Sequence, residues 1–116
     1  MFIAYAVVAV LLALGLVMSG RAKLVKDEKV TAGLTANGVP LSWFPWLAAA
    51  EIAGAVGLLA GLAFRPFGIA AAIGVVLYFI GAVLTHVRTG DLKGAPPAAV
   101  LLVTGVAALV LGIISA

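Results

Sequence analysis

Four long apolar blocks dominate this sequence and restrict the folds open to it. They cover residues 2–19, 43–64, 67–87 and 97–115, and they contain no lysine or arginine and only one acidic residue. A helix of about 20 residues crosses the roughly 30 Å hydrocarbon core of a bilayer. Membrane-spanning strands alternate polar and apolar residues instead, and these blocks are apolar throughout. The sequence therefore predicts one all-α domain over residues 1–116, a polytopic membrane bundle of four helices.

The composition supports this prediction and excludes several kinds of site. Hydrophobic residues make up 66% of the chain and charged residues 9%, whereas a soluble domain carries about 25% charged residues. The lipid bilayer is thus the expected surrounding. The chain has no cysteine and a single histidine, so thiolate chemistry, iron–sulfur clusters and multi-histidine metal sites are not expected. We predict no metal, no intrinsic cofactor and no nucleic-acid partner.

The first connection is long enough to hold a short helix at the membrane interface. It covers residues 20–42, and the charged residues 26–29 are suited to open such a helix. Asn37-Gly38 can end it in a left-handed turn, with Pro40 beyond. The fold class predicted is therefore a four-helix bundle with a short interfacial helix between its first and second spans.

The basic residues predict the orientation of the chain. Six of the seven lie in the connections 20–42 and 88–96, whereas Arg65 alone lies between the second and third spans. Connections rich in lysine and arginine stay in the cytoplasm. We therefore predict that these two connections are cytoplasmic and that both termini lie outside.

Glu51 is the most informative residue, because a charged group within a span is costly unless it faces protein or water. The short Arg65-Pro66 connection makes the second and third spans antiparallel neighbours, which places Tyr78 at the depth of Glu51. The same argument brings Thr104 of the fourth span to this layer. One interpretation is a site for a ligand, a quinone or a proton. The other is an interhelical hydrogen bond that only fixes the packing.

His86, near the cytoplasmic end of the third span, also has two interpretations. It can be an interfacial histidine in contact with head groups or water. It can also relay protons between the cytoplasm and Glu51, which lies about two turns deeper. With Glu51, Tyr78 and Thr104, it completes the predicted polar site.

The glycines of the second and third spans predict close helix packing. Small residues at four-residue spacing allow two helix backbones to approach closely in lipid. We interpret this as packing within the chain, with dimerisation as the alternative. The predicted packing positions are Gly54, Gly57, Gly61, Gly74 and Gly81.

Several short motifs, taken in order, resemble the DoxX-like family of small bacterial membrane proteins. They are S-G-x-x-K-L at 19–24, G-V-P at 38–40, E-x-x-G-x-x-G-L-L at 51–59, A-x-x-x-H-x-x-x-G-D at 82–91 and the proline pair at 96–97. The resemblance implies a four-helix fold in a bacterial inner membrane. It also implies an association with membrane redox chemistry, since similar proteins include a quinone-reactive subunit and part of an oxidant-defence complex.

Three functions remain open at this point. The first is a subunit that binds a quinone or a lipid and accompanies membrane redox chemistry. The second is a non-catalytic scaffold or accessory subunit that holds another membrane protein. The third is a small transporter, which four short spans allow only in a homo-oligomer.

Overall fold

The computed structural model describes residues 2–25, 28–90 and 95–115, which contain helices and turns but no strand. Four of the helices are long and apolar enough to cross a membrane, so the predicted fold class is confirmed. In chain order, the helices are α1 (Phe2–Leu24), α2 (Glu28–Ala36), α3 (Phe44–Ala60), α4 (Arg65–Arg88) and α5 (Ala95–Ile114), with a 3-10 turn (Leu41–Trp43) before α3.

The four spanning helices form a bundle in which every neighbouring pair is antiparallel. Helix α1 packs against α3 and α5, and α4 packs against the same two helices. The bundle has two ends, which differ in chemistry. We call the end where α1 and α4 finish the basic end, and the end where residues 61–64 join α3 to α4 the hairpin end.

The spans begin and end at other residues than the hydropathy blocks suggest. Helix α1 continues through Arg21 and Lys23 to Leu24, because the long basic side chains can reach polar groups without ending the helix. Helix α3 ends at Ala60, and α4 begins at Arg65 with a proline in its first turn, where no backbone N–H is needed. Apolar blocks locate spans, but capping and turn chemistry set their ends.

The predicted interfacial helix is α2, and its C-terminus has the predicted left-handed turn at Gly38, whose φ is 83°. Residues 26–27, predicted to help open the helix, lie outside the described residues. The Asn37 side chain donates to the Gly33 carbonyl at 2.8 Å and accepts from the Thr89 hydroxyl. These bonds tie the end of α2 to the end of α4, so α2 lies over the basic end.

Small and aliphatic side chains fill the interior of the bundle. On α1, Tyr5, Ala9, Leu12 and Leu16 recur at helical spacing and are at most 1% exposed. Large apolar side chains such as Leu77 are instead exposed on the outer surface. A bundle in lipid has no reason to make its outer face polar, so both faces of each span are apolar.

Two of the predicted glycine contacts bring α3 and α4 together. A Cβ at Gly57 would lie 2.7 Å from the Ala71 Cβ, and one at Gly61 would collide with Gly68 and with the Tyr5 hydroxyl. Gly54 is also close, since its Cβ would lie 3.0 Å from Val75. Gly57 and Gly61 need glycine because no space remains there for a side chain.

Gly74 and Gly81 do not pack as predicted. A Cβ at either position would meet no other heavy atom within 4 Å among the described residues, apart from its own helix backbone. Both face open space beside α4, and Gly68 makes the close contact on that helix instead. The sequence could not show this, because the apolar character of α4 does not reveal which face meets a neighbour.

Tyr5 and Arg65 close the hairpin end. The Tyr5 hydroxyl donates to the Leu58 carbonyl at 3.0 Å, and Arg65 donates to the Gly61 carbonyl. The Arg65 guanidinium also lies 4.4 Å from the centre of the Tyr5 ring, within the range of a cation–π contact. At this end, polar side chains thus satisfy free carbonyls of the last turn of α3 and of Gly61, the residue that follows it.

Candidate functional site

A polar cluster joins α1, α3 and α4 near the basic end. Glu51 Oε1 accepts hydrogen bonds from Lys23 Nζ and from the Tyr78 hydroxyl, the latter at 2.9 Å. Lys23 Nζ also donates to Ser19 Oγ at 2.9 Å, one turn earlier on α1. The cluster of Ser19, Lys23, Glu51 and Tyr78 therefore links three helices through one carboxylate oxygen.

The cluster contains a buried ion pair, since Lys23 is 7% exposed and Glu51 is 2% exposed. Removing two charges from water costs several kcal/mol for each ion, and attraction offsets this only with good geometry and further hydrogen bonds. Ser19 and Tyr78 supply such bonds. Glu51 Oε2 has no hydrogen-bond partner among the described residues, so one carboxylate oxygen remains unused.

Lys23 is the residue that sequence reasoning missed. We included it as a basic residue of the first connection and in the motif at 19–24, but not in the polar site, because it follows the apolar block. The structure extends α1 past Lys23 and turns its ammonium group toward Glu51. The sequence contained one signal for the contact of Lys23 with Glu51. An acid in a span requires a partner, and Lys23 lies a few residues beyond the neighbouring span.

The structure brings together some of the four predicted polar residues but not all. Tyr78 donates to Glu51, as the depth argument indicates. Thr104 instead donates to the Val100 carbonyl of its own helix at 2.8 Å and does not bond to Glu51. A threonine hydroxyl within a helix has this carbonyl within easy reach, so equal depth does not ensure a contact between helices.

A cavity of about 580 Å³ lies at the basic end beside this cluster. Lys23, Tyr78 and His86 contribute to its wall, so three of its polar groups come from three different turns of α1 and α4. Most of the lining is apolar, and α2, α3, α4 and α5 contribute to it, including Leu34 of α2, Leu47, Phe79, Ala82, Ala98 and Leu101. The arrangement suits a ligand that is mostly apolar and carries a polar group at one end.

A second cavity, a groove of about 480 Å³, runs between α3 and α4 on the other side of the cluster. Its walls are mainly alanine and glycine, and Glu51 borders it. Tyr78 and Phe79 border both cavities. The polar cluster therefore stands between an apolar groove and the larger cavity.

The described residues contain no group of three or more His, Cys, Asp or Glu side chains placed to hold a metal ion. The polar groups at the cavity include an amine, a phenol and an imidazole. They can exchange hydrogen bonds and protons with a ligand.

A comparison with protein families identifies the chain. The model of the DoxX-like family matches residues 7–108. The chain belongs to the DoxX-like family. All the residues that line the larger cavity lie inside the matched segment, as does the cluster of Ser19, Lys23, Glu51 and Tyr78. Searches of curated proteins and of solved structures gave no significant match. The DoxX-like protein is thus a multi-pass membrane protein.

Proposed function

We propose that this DoxX-like protein binds a quinone-type ligand in the cavity at the basic end and acts as a ligand-binding subunit in membrane redox chemistry. The observation that carries the proposal is the position of Lys23 and Tyr78 in the wall of a mostly apolar cavity. Apolar walls accommodate a ring and its hydrocarbon tail. A few fixed polar groups then orient the head group.

The dimensions of the cavity support this ligand class. Sites for small molecules and cofactors commonly enclose about 300–1,000 Å³, and the cavity of about 580 Å³ lies within this range. Phe79 and Trp43 supply aromatic surface in the wall. Such surface packs well against a planar ring.

His86 gives the proposed site a route for protons. It lies in the wall of the same cavity as Lys23, and imidazole is the side chain best suited to exchange protons near neutral pH. In the proposal, His86 connects the ligand with the water phase at the basic end. The proposal puts this end in the cytoplasm, in a bacterial inner membrane, with both chain termini outside; the six basic residues of the connections 20–42 and 88–96 support this orientation.

The test uses the two tryptophans. Trp43 lines the cavity, whereas Trp46 is 78% exposed and does not line it. In a Trp46→Phe variant, Trp43 is the only tryptophan, and decylubiquinone in the cavity should quench its fluorescence saturably. The Trp43→Phe variant reports general partition of the quinone into the micelle through Trp46.

Two matched glycine substitutions locate the binding. Gly81→Leu adds a side chain that fills the cavity without a backbone collision, and Gly74→Leu adds the same side chain beside the groove. In the Trp46→Phe background, saturable quenching should be lost with Gly81→Leu and kept with Gly74→Leu. No saturable quenching, or equal quenching in both variants, contradicts the proposal. Stoichiometric recovery of one other membrane protein by the quinone-free chain would then favour the scaffold.

A further inference from the structure

We infer that the cavity selects a head group with a hydroxyl, which both donates and accepts a hydrogen bond, over a head group that only accepts. This inference rests on the proposed function and specifies its ligand. Two sources supply the chemistry: the reduced, quinol form of a quinone, and a long-chain alcohol. Lys23 and Tyr78 each have a hydrogen-bonding group that the described residues do not use, and these two groups determine the head group that fits.

Lys23 has one N–H to give to a ligand. An ammonium group carries three N–H donors and no acceptor. Two of them are used by Ser19 Oγ and Glu51 Oε1, and the third has no acceptor among the described residues. Because Lys23 lines the cavity, a ligand oxygen there can accept this bond.

Tyr78 offers the opposite half of a hydrogen bond. Its single hydroxyl proton is donated to Glu51 Oε1 at 2.9 Å, so its oxygen can only accept from any further partner. An oxidised quinone has carbonyl oxygens and no donor on its head group. A quinol or an alcohol has an O–H that can fill this position.

One hydroxyl can serve both residues. Lys23 Nζ and the Tyr78 oxygen both bond to Glu51 Oε1, so they lie within about 6 Å of each other. A ligand O–H between them can donate to Tyr78 and accept from Lys23. A carboxylate head group offers acceptors only and would bring a second negative charge toward Glu51, which Coulomb repulsion disfavours.

The inference is tested by calorimetric titration of the wild-type protein in detergent with three probes. They are decylubiquinol under anaerobic conditions, decylubiquinone and 1-dodecanol. One added hydrogen bond should make decylubiquinol bind about fivefold to tenfold more tightly than decylubiquinone. Binding of dodecanol at the same site, shown by competition, identifies the hydroxyl alone as sufficient. Binding of the quinol without dodecanol restricts the ligand to the ring compound.

Two variants examine the hydrogen bonds separately. Tyr78→Phe removes the acceptor and should abolish the preference for decylubiquinol while decylubiquinone still binds. Ser19→Ala is the matched control: it frees a Lys23 N–H that either quinone form can accept and leaves the Tyr78 oxygen unchanged, so the preference for decylubiquinol should persist. If Tyr78→Phe does not fold, the wild-type titration with the three probes decides between the two head groups.

The inference is overturned if wild-type protein binds decylubiquinone as tightly as decylubiquinol, or if folded Tyr78→Phe keeps the preference. Different results would contradict the proposed function itself. In that case, none of the probes binds saturably, or Gly81→Leu leaves the binding of every probe intact.

Discussion

The two ends of the bundle use similar polar side chains in different ways. At the hairpin end, Tyr5 and Arg65 donate to backbone carbonyls at the C-terminus of α3, and glycine contacts leave no room for further atoms. At the basic end, Lys23 and Tyr78 donate to a side chain, Glu51, beside a cavity of about 580 Å³. One end satisfies its own helix terminus, whereas the other presents polar groups to open space.

This difference separates structural polar groups from candidate functional ones. Carbonyls at a helix end need donors in any membrane bundle, so the Tyr5 and Arg65 contacts have a sufficient structural cause. No helix terminus requires a lysine–glutamate pair between α1 and α3. Its cost in burial and its place beside a cavity together favour a role in binding.

The largest effect on stability is expected from Lys23→Met. It leaves Glu51 buried with a charge and no ionic partner, and breaking a buried pair in this way costs about 3–5 kcal/mol. Arg21→Met is the matched control, because Arg21 is exposed on the same helix and its loss should change stability by less than about 0.5 kcal/mol. Unfolding in mixed micelles of increasing denaturing detergent, followed by tryptophan fluorescence, measures both. Equal stability of the two variants would mean that the pair contributes nothing.

A smaller effect is expected at the hairpin end from Gly68→Ala. The added Cβ would collide with the Tyr5 hydroxyl and lie 3.0 Å from the Gly61 Cα, and such overpacking costs about 1–3 kcal/mol. Gly74→Ala is the control on the same helix. Its Cβ meets no other heavy atom within 4 Å among the described residues, so stability should stay the same or rise by up to about 1 kcal/mol. Equal losses in both variants would show that the tight contact is not specific to the hairpin end.

The orientation of the two ends across the membrane can be measured with single-cysteine variants that should not change stability. The chain has no cysteine, so single cysteines at Lys29, Ala63 and Lys93 are the only thiols in their variants. On intact cells, an impermeant thiol reagent should label only position 63, since the positive-inside rule places the basic end in the cytoplasm. Labelling at 29 and 93 but not at 63 would reverse the assignment.

Much of the fold could be predicted because its signals are local. Apolar length defined the four spans, and Asn37-Gly38 defined the turn after α2. The contact of Glu51 with Tyr78 was also accessible, because a tight hairpin fixes the register of the two helices that it joins. Local sequence thus predicts both the spans and the contacts between helices joined by a short connection.

The other contacts depend on features that the sequence does not encode locally. Lys23 and Glu51 are separated by the long first connection, which does not fix the register of α1 against α3. The close helix contact lies at Gly68 and not at Gly74 or Gly81, and this depends on which side of α4 faces α3. Lipid is as apolar as the interior, so no polar stripe marks that side.

The proposed quinone site at the basic end is tested most directly by photoaffinity labelling of the wild-type protein with an azido derivative of decylubiquinone. Mass spectrometry identifies the labelled peptides. We expect labelling of the cavity wall, at residues 33–47, 81–86 and 97–101. Excess unmodified decylubiquinol should abolish this labelling. Labelling confined to the α3–α4 groove at residues 50–60 and 67–74, or labelling that excess decylubiquinol does not reduce, would contradict the proposed site.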